Sequence, residues 1–294
     1  MVKPQLGFIG LGIMGRPMAL NLANANYPLA VYARRPQAAA ALTAAGAKSY
    51  ESPAELASHC DIVFTMVADT PDVEEVIAGR RGIMHGAARG SVVVDMSTIS
   101  PLATRRLAEE LYVRGVEMLD APVSGGEQGA VAGSLSIMVG GKTDVFARVR
   151  PLLACMGKHI VHVGPSGAGQ VAKACNQVLV AQTIAAVAEA LLLARASGAD
   201  PARVRGALLG GFAYSRILEV HGQRMLEGDY KPGFKSRLHQ KDMRIALETA
   251  SESKIALPGA ARATAYLGEL IDSGGGELDS AAIARVIWEG ASLD

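Results

Sequence analysis

Three short groupings in this chain of 294 residues hold side chains or bare backbone that could do chemistry. The first is Lys173 with Asn176 three residues on. On a helix that spacing puts an ammonium and an amide on one face, a pair able to pass a proton to an oxygen and to fix that oxygen in place. Gly167 and Gly169 just before them leave the backbone bare, so something can approach closely. Taken alone, a lysine at a helix start more often snorkels to water. The second grouping is Ser124-Gly125-Gly126. Two consecutive N–H groups beside a hydroxyl can cradle a carboxylate, but Ser and Gly are also ordinary turn residues, and position leaves both readings open. The third is Gly10-Leu11-Gly12-Ile13-Met14-Gly15. Gly10 allows a tight turn, Gly12 lets the backbone approach a pyrophosphate, and Gly15 lets helix and strand pack closely.

Such a glycine turn means little without its context, and here the context is present. An apolar run at 5–10 reads as a buried strand, 16–25 as a helix with Pro17 tolerated in its first turn, and 29–33 as a second strand. Alternation then continues, with strands at 61–67, 91–95, 116–119, 134–140 and 159–163. Helices are expected at 36–45, 53–58, 71–78, 101–114 and 143–156. Repeated βα units imply a parallel sheet covered on both faces, with ligands outside the carboxyl ends of the strands. Asp69, Ser97, Thr98 and Asp120–Gly126 fall at such ends. Residues 168–196 form the most apolar long segment, with only Lys173, Glu189 and Arg195 charged. Ser197-Gly198 and Pro201 close it. One helix of roughly 40 Å is expected there, apolar on nearly all sides and therefore buried on nearly all sides. Helices follow to the end, at 201–210, 215–227, 238–253, 259–273 and 280–289. The fold class expected is an α/β Rossmann-type N-terminal domain (1–164) and an all-α C-terminal domain (165–294), joined by the long interdomain helix.

Composition narrows the partners. A net charge of +1 and 4% aromatic residues give no reason to expect nucleic acid or an anionic membrane. Cys60, Cys155 and Cys175 are odd in number and widely spaced, which points to reduced thiols and a cytoplasmic home. No His/Cys set has metal-ligand spacing. His85 and His221 fall on expected surface helices. Only four residues precede the first strand, too few for a signal peptide, and the uncharged run 174–188 falls short of the ~20 apolar residues that span a bilayer.

Four stretches together resemble the β-hydroxyacid dehydrogenases, the family of 3-hydroxyisobutyrate dehydrogenase. They are the opening 7–21 with its glycine turn, Asp120-Ala-Pro-Val-Ser-Gly-Gly126, Gly167-x-Gly-x-x-x-Lys173-x-x-Asn176, and His239-Gln-Lys241-Asp242. They occur in the family order over essentially the whole chain. The resemblance implies reversible hydride transfer between a nicotinamide and a carbonyl or alcohol carbon of a small acid, with no metal. Lys173 would be the general acid/base and Asn176 would fix the substrate oxygen. Ser124, Gly125 and Gly126 would hold the carboxylate. Gly10, Leu11, Gly12, Ile13, Met14, Gly15, Met66, Val67, Thr98 and Lys241 would contact the cofactor. Asn21 would serve helix packing. Tartronate semialdehyde is the substrate it favours, since Asn176-Gln177 stands where relatives acting on hydroxyisobutyrate tend to carry two asparagines. Glyoxylate, succinic semialdehyde, 3-hydroxyisobutyrate and threonate are the alternatives, and Arg216 and Arg237 are either discriminating positions or ordinary salt-bridge partners. A non-catalytic dinucleotide-binding module would have no need of Lys173. A homodimer or homotetramer built through the helical domain is expected.

Cofactor choice can be read at the end of the second strand, Val31-Tyr32-Ala33-Arg34-Arg35-Pro36. NAD-binding folds carry an acidic residue there to hold the ribose hydroxyls. Ala33 takes that position and two arginines follow, where a 2′-phosphate would project. Arg34 is thus the expected phosphate contact, with NADP favoured over NAD.

Overall fold

The computed structural model describes residues 3–290, and contacts divide the chain into two compact units meeting between Lys173 and Ala174. In the first unit, short apolar runs become strands because both of their faces are covered. β1 (Leu6–Ile9), β2 (Leu29–Tyr32), β3 (Lys48–Ser49), β4 (Ile62–Thr65), β5 (Val92–Asp95) and β6 (Glu117–Asp120) run parallel in the order β3-β2-β1-β4-β5-β6. Period-two alternation sorts their side chains. Leu6, Phe8, Ile62, Phe64, Val92 and Val94 enter one core, while Ile9, Val63 and Val93 enter the other, as a sheet buried on both sides requires. The covering helices are α1 (Gly15–Asn24), α2 (Ala40–Ala44), α3 (Pro53–Ala57), α4 (Thr70–Ala78), α5 (Pro101–Val113), α6 (Gly126–Val131) and α7 (Thr143–Leu153). Ser52, Asp69 and Ser100 start α3, α4 and α5, each accepting a backbone N–H close to a proline in the first turn, the usual entry chemistry of a helix.

The sheet is not parallel throughout, as the sequence had suggested it would be. Beyond β6 come β7 (Val123–Ser124), β8 (Leu135–Gly140) and β9 (Gly157–Gly164). β8 runs antiparallel to β6 and β7 and parallel to β9. The chain reverses through Gly125 (φ 135°), Gly126 (φ 61°), α6 and Gly133 (φ 60°), positions that glycine adopts without strain. Because Ser124-Gly125-Gly126 has turn composition, the strand ending in it and the helix starting from it were both hidden.

The second unit is helical. α8 (Ala168–Ala196) supplies its first helix from Ala174 on, followed by α9 (Pro201–Leu208), α10 (Arg216–Glu227), α11 (Ser236–Glu252), α12 (Pro258–Asp272) and α13 (Ile283–Glu289). Its core gathers Ile184, Ala188 and Leu191 of α8 with Leu218, Met225, Met243, Leu267, Leu270, Ile283 and Ile287. The bounds of α8 match the apolar run, but its burial does not. Leu179 and Leu193 are each 68% exposed, and Val171 and Cys175 are exposed too. Apolar composition marks surface suited to burial, and the structure covers only part of it. At 29 residues α8 is also long and apolar enough by composition to cross a membrane, where a shortfall had been expected; its place in the second core accounts for the part of that apolar surface that is buried.

His221 is not a surface histidine. Its side chain is 20% exposed and stands 3.7 Å from Asp279, and burial holds its pKa below the usual value. Asp279, buried at the start of a 3₁₀ turn, also takes the Arg224 guanidinium at 2.9 Å and the N–H groups of Gly233, Phe234 and Ala281.

Candidate active site

The first unit gathers most of the expected site residues at the carboxyl ends of β1, β4, β5 and β6. After β1 the chain turns at Gly10 (φ 97°), where a Cβ would stand 2.1 Å from the Met66 carbonyl oxygen. A Cβ on Gly15 would stand 1.9 Å from the Gly10 carbonyl oxygen. Both glycines are therefore required by close backbone approach, and they bring Gly10–Gly15 against Met66 and Val67. Gly12 is different, since a side chain there would meet nothing within 4 Å. Gly12 and Ile13 are exposed, Leu11 is buried and Met14 is partly covered. α1 begins with no side-chain cap and no acidic residue in its first turn. Bare backbone facing open space at an uncapped helix start suits a pyrophosphate, so the residues present fit a dinucleotide. Asn21 donates to the Ala130 carbonyl at 2.8 Å, tying α1 to α6.

Next to this turn lies a network the sequence did not disclose. The Asp95 carboxylate, fully buried, accepts from Thr65 Oγ1 at 2.7 Å and from the Ser97 N–H at 3.2 Å. Ser97 Oγ in turn accepts from the Val67 N–H at 3.0 Å. The segments holding Val67 and Thr98 are thereby tied together beyond adjacent strand ends. Burial pushes Asp95 up to about 6, with its hydrogen bonds opposing the shift and Asp120 adding to it.

Asp120 does more than begin a loop. Its Oδ1 accepts from the Gly167 N–H at 2.8 Å and its Oδ2 from the Gln170 N–H at 2.9 Å. It therefore caps the start of α8 from another strand, with the carboxylate on the positive end of the helix dipole. Burial raises its pKa, and these N–H donors oppose that rise. Four residues after Asp120, Ser124 is half-buried and Gly125 and Gly126 are exposed, so their backbone is open to a ligand. One turn into α8, Lys173 is buried.

The second unit holds the remaining residues, joined in a chain. Asn176 Nδ2 donates to Gln177 Oε1 at 2.7 Å, and Gln177 Nε2 donates to Asp242 Oδ2 at 2.7 Å. Lys241 Nζ lies 2.8 Å from Asp242 Oδ1. Gln177, Lys241 and Asp242 are all buried. The Asp242 oxygen accepts from Gln177, which fixes the direction of both amides, and Asn176 spends its N–H group in this chain while its Oδ1 takes no part in it. His239 is in the core against Phe234.

Three other positions can be placed. Arg34 is 82% exposed and 3.5 Å from Asp72, and no acid stands at the end of β2. Arg216 pairs with Glu219 and Arg237 with Glu277, so both arginines are ion-pair partners in this structure. Gln170, Asp95 and the Gln177–Asp242 link escaped the sequence reading. Gln170 lies three residues before Lys173 and so shares its face, which was the one available signal.

A mostly parallel α/β unit with an open glycine turn at its switch of strand order and a buried lysine at its end, followed by a helical unit, fits an NAD(P)-dependent oxidoreductase acting on CH–OH groups. Comparison with known proteins agrees. Residues 5–164 match the NAD-binding domain of 6-phosphogluconate dehydrogenase, and residues 167–287 the NAD-binding domain of NADP-dependent 3-hydroxyisobutyrate dehydrogenase. The chain is 50% identical to 2-hydroxy-3-oxopropionate reductase of Escherichia coli, over 96% of this chain and 97% of that one. It is 37% identical to 2-(hydroxymethyl)glutarate dehydrogenase of Eubacterium barkeri, over 97% and 95%. The structure of Mycobacterium tuberculosis 3-hydroxyisobutyrate dehydrogenase with L-serine superposes with a TM-score of 0.91 at 29% identity, covering 97% of this chain and 99% of that one. The chain belongs to the β-hydroxyacid dehydrogenase family.

Proposed function

We propose that this enzyme reduces tartronate semialdehyde (2-hydroxy-3-oxopropanoate) to glycerate, with Lys173 as the proton donor and NADP(H) as the preferred cofactor. The observation that carries the chemistry is the buried Lys173, one turn beyond a helix start anchored by Asp120. The cofactor supplies the hydride. Lys173 Nζ gives a proton to the oxygen that gains charge, and in the oxidative direction accepts it back. Asn176 orients that oxygen, its own amide held by Gln177. The N–H groups of Gly125 and Gly126 with the Ser124 hydroxyl bind the carboxylate. The Gly10–Gly15 turn, Met66, Val67, Thr98 and Lys241 bind the cofactor, and Arg34 takes the 2′-phosphate. The substrate choice is supported by 50% identity to a 2-hydroxy-3-oxopropionate reductase and by Gln177 after Asn176.

The division of labour is a dinucleotide domain at 1–164 and a helical domain at 165–294, in a cytoplasmic homo-oligomer. The apolar side chains left open on α8 support assembly through that helix. The test of substrate is NADPH oxidation with tartronate semialdehyde, glyoxylate, succinic semialdehyde and methylmalonate semialdehyde. Tartronate semialdehyde is expected to give the highest kcat/KM. A tenfold advantage for another member of the panel would move the enzyme to that substrate. Lys173→Ala is expected to lower kcat ~10²–10⁴-fold with the fold kept. Light scattering at micromolar concentration should give at least a dimer mass.

A further inference from the structure

Gln170 is 1% exposed and uses both ends of its amide on one short segment. Nε2 donates to the Ser97 carbonyl at 2.8 Å, and Oε1 accepts from the Ile99 N–H at 3.1 Å. The two partners flank Thr98. The backbone N–H of the same residue donates to Asp120, four residues ahead of Ser124. Lys173 follows one turn later on the same helix.

We propose that Gln170, acting with Asp120, is a positioning residue that sets Lys173 relative to Thr98 and to the Ser124–Gly126 cradle. The inference rests on the reading of Lys173 as proton donor. Each of the three segments reaches the site from a different strand or helix. Gln170 ties the helix to the end of β5 by two hydrogen bonds. Its main chain and that of Gly167 tie the helix to the end of β6. A primary amide is the neutral side chain that donates and accepts at once over this reach. Glutamate would keep the acceptor for Ile99 but turn a negative oxygen on the Ser97 carbonyl. Methionine would fill the space and leave both backbone groups buried without partners, a costly change.

The glycines around Asp120 show how tightly the anchorage is built. A Cβ on Gly169 would come within 2.8 Å of Asp120 Oδ2, and one on Gly140 within 2.6 Å of Oδ1. The carboxylate occupies the room those side chains leave. With hydrogen bonds on both sides, the start of α8 has little freedom to slide along its axis. A displacement of about 1 Å at a reacting group is enough to lower a rate about a hundredfold, so a loss of this anchorage should be read in the chemical step.

The experiment compares Gln170→Met, Gln170→Asn and Lys173→Met with wild type, using whichever semialdehyde of the panel above wild type reduces fastest. Circular dichroism and thermal melts establish folding. The kinetic readouts are kcat, KM and the primary isotope effect with reduced cofactor deuterated at the transferred position. The expected result for folded Gln170→Met is a kcat about tenfold to a hundredfold lower, KM values within about threefold, and a larger isotope effect as hydride transfer becomes limiting. Gln170→Asn keeps the amide but withdraws it by one methylene, so it should show the same loss in kcat with a milder loss of Tm. A role in stability alone would lower Tm and leave kcat and the isotope effect of the folded enzyme at wild-type values. That outcome, with Lys173→Met inactive, overturns the positioning role and leaves the proton donor standing. Turnover retained by Lys173→Met overturns the donor assignment and this inference with it.

Discussion

Asp95 and Asp120 are register partners in the parallel ladder of β5 and β6, and both are buried. Their surroundings differ. Asp120 shares its charge among backbone N–H groups at a helix start, whereas Asp95 Oδ2 has no hydrogen-bond partner among the described residues. Two like charges side by side inside a protein cannot be equally ionised at low cost, and the better-solvated one keeps its charge.

Asp95 is therefore expected to make stability depend on pH in the unusual direction. Its folded pKa of about 6 lies above the ordinary value of 3.8, so the folded state holds the proton more firmly. That contribution is complete below the unfolded pKa and is lost as pH rises through about 6. A difference of that size between folded and unfolded chains is worth at most about 3 kcal/mol. In Asp95→Asn the group no longer titrates, so the variant should gain on wild type as pH rises from about 4.5 to about 7.5, a range that brackets the raised pKa. Urea unfolding at both ends of that range checks it; a constant difference would show that Asp95 is not perturbed.

Arg34 is predicted to set the choice of dinucleotide. Its contact with Asp72 is long and exposed, and such pairs are worth at most about 1 kcal/mol, too little to hold the guanidinium from a phosphate. Arg34→Ala should lower kcat/KM for NADPH about tenfold or more, the loss expected of a charge-assisted contact, and leave NADH nearly unchanged. A wild-type preference for NADH would refute it.

Glycine-to-alanine changes on two helices should have opposite signs. Within a helix alanine is favoured over glycine by roughly 1 kcal/mol. At Gly206 of α9 nothing lies within 4 Å of a new Cβ, so Gly206→Ala should stabilise by about that amount. At Gly169 the Cβ would stand 2.4 Å from the Met138 carbonyl oxygen, and overpacking costs about 1–3 kcal/mol. Gly169→Ala should destabilise and also lower kcat. A Gly169→Ala melt above wild type would mean that local propensity outweighs the contact, and a Gly206→Ala melt below it would refute the gain at the open position.

Removing Asp279 should be severe. Asp279→Ala leaves Arg224 half-buried without its carboxylate and takes the acceptor from three backbone N–H groups. Losing one member of a buried pair costs about 3–5 kcal/mol. Double-mutant analysis with Arg224→Met should recover part of that loss, and strict additivity would show the two residues to be uncoupled.

Much of the architecture could be read from local signals. The bounds of α8 follow from an apolar run ended by Ser197-Gly198, and the buried strands from runs such as Val92–Val94. β7 and α6 were lost because a strand of two residues carries no periodicity, and Ser124–Gly126 resembles any turn. The residues expected at the strand ends are where the order of elements put them. What joins them was not legible: Gln170 acts through partners 50 to 73 residues away, and no window of sequence spans that distance. The open surface of α8 was missed for a related reason, since composition says which surface is apolar but not which side a core will cover.

The pair Gly167 and Gly169 repeats the spacing of Gly10 and Gly12, yet the two helix entrances have opposite character. At α1 no side chain caps the entrance and no acid stands in the first turn, and it can receive a guest anion. At α8 the chain has stoppered the entrance with Asp120, an anion of its own. A negatively charged ligand is thus steered to one doorway and turned away from the other. Gly169, with Gly140, leaves the room in which the Asp120 carboxylate is locked, and Lys173 stands one turn beyond that lock, where a phosphate is not drawn to the helix start.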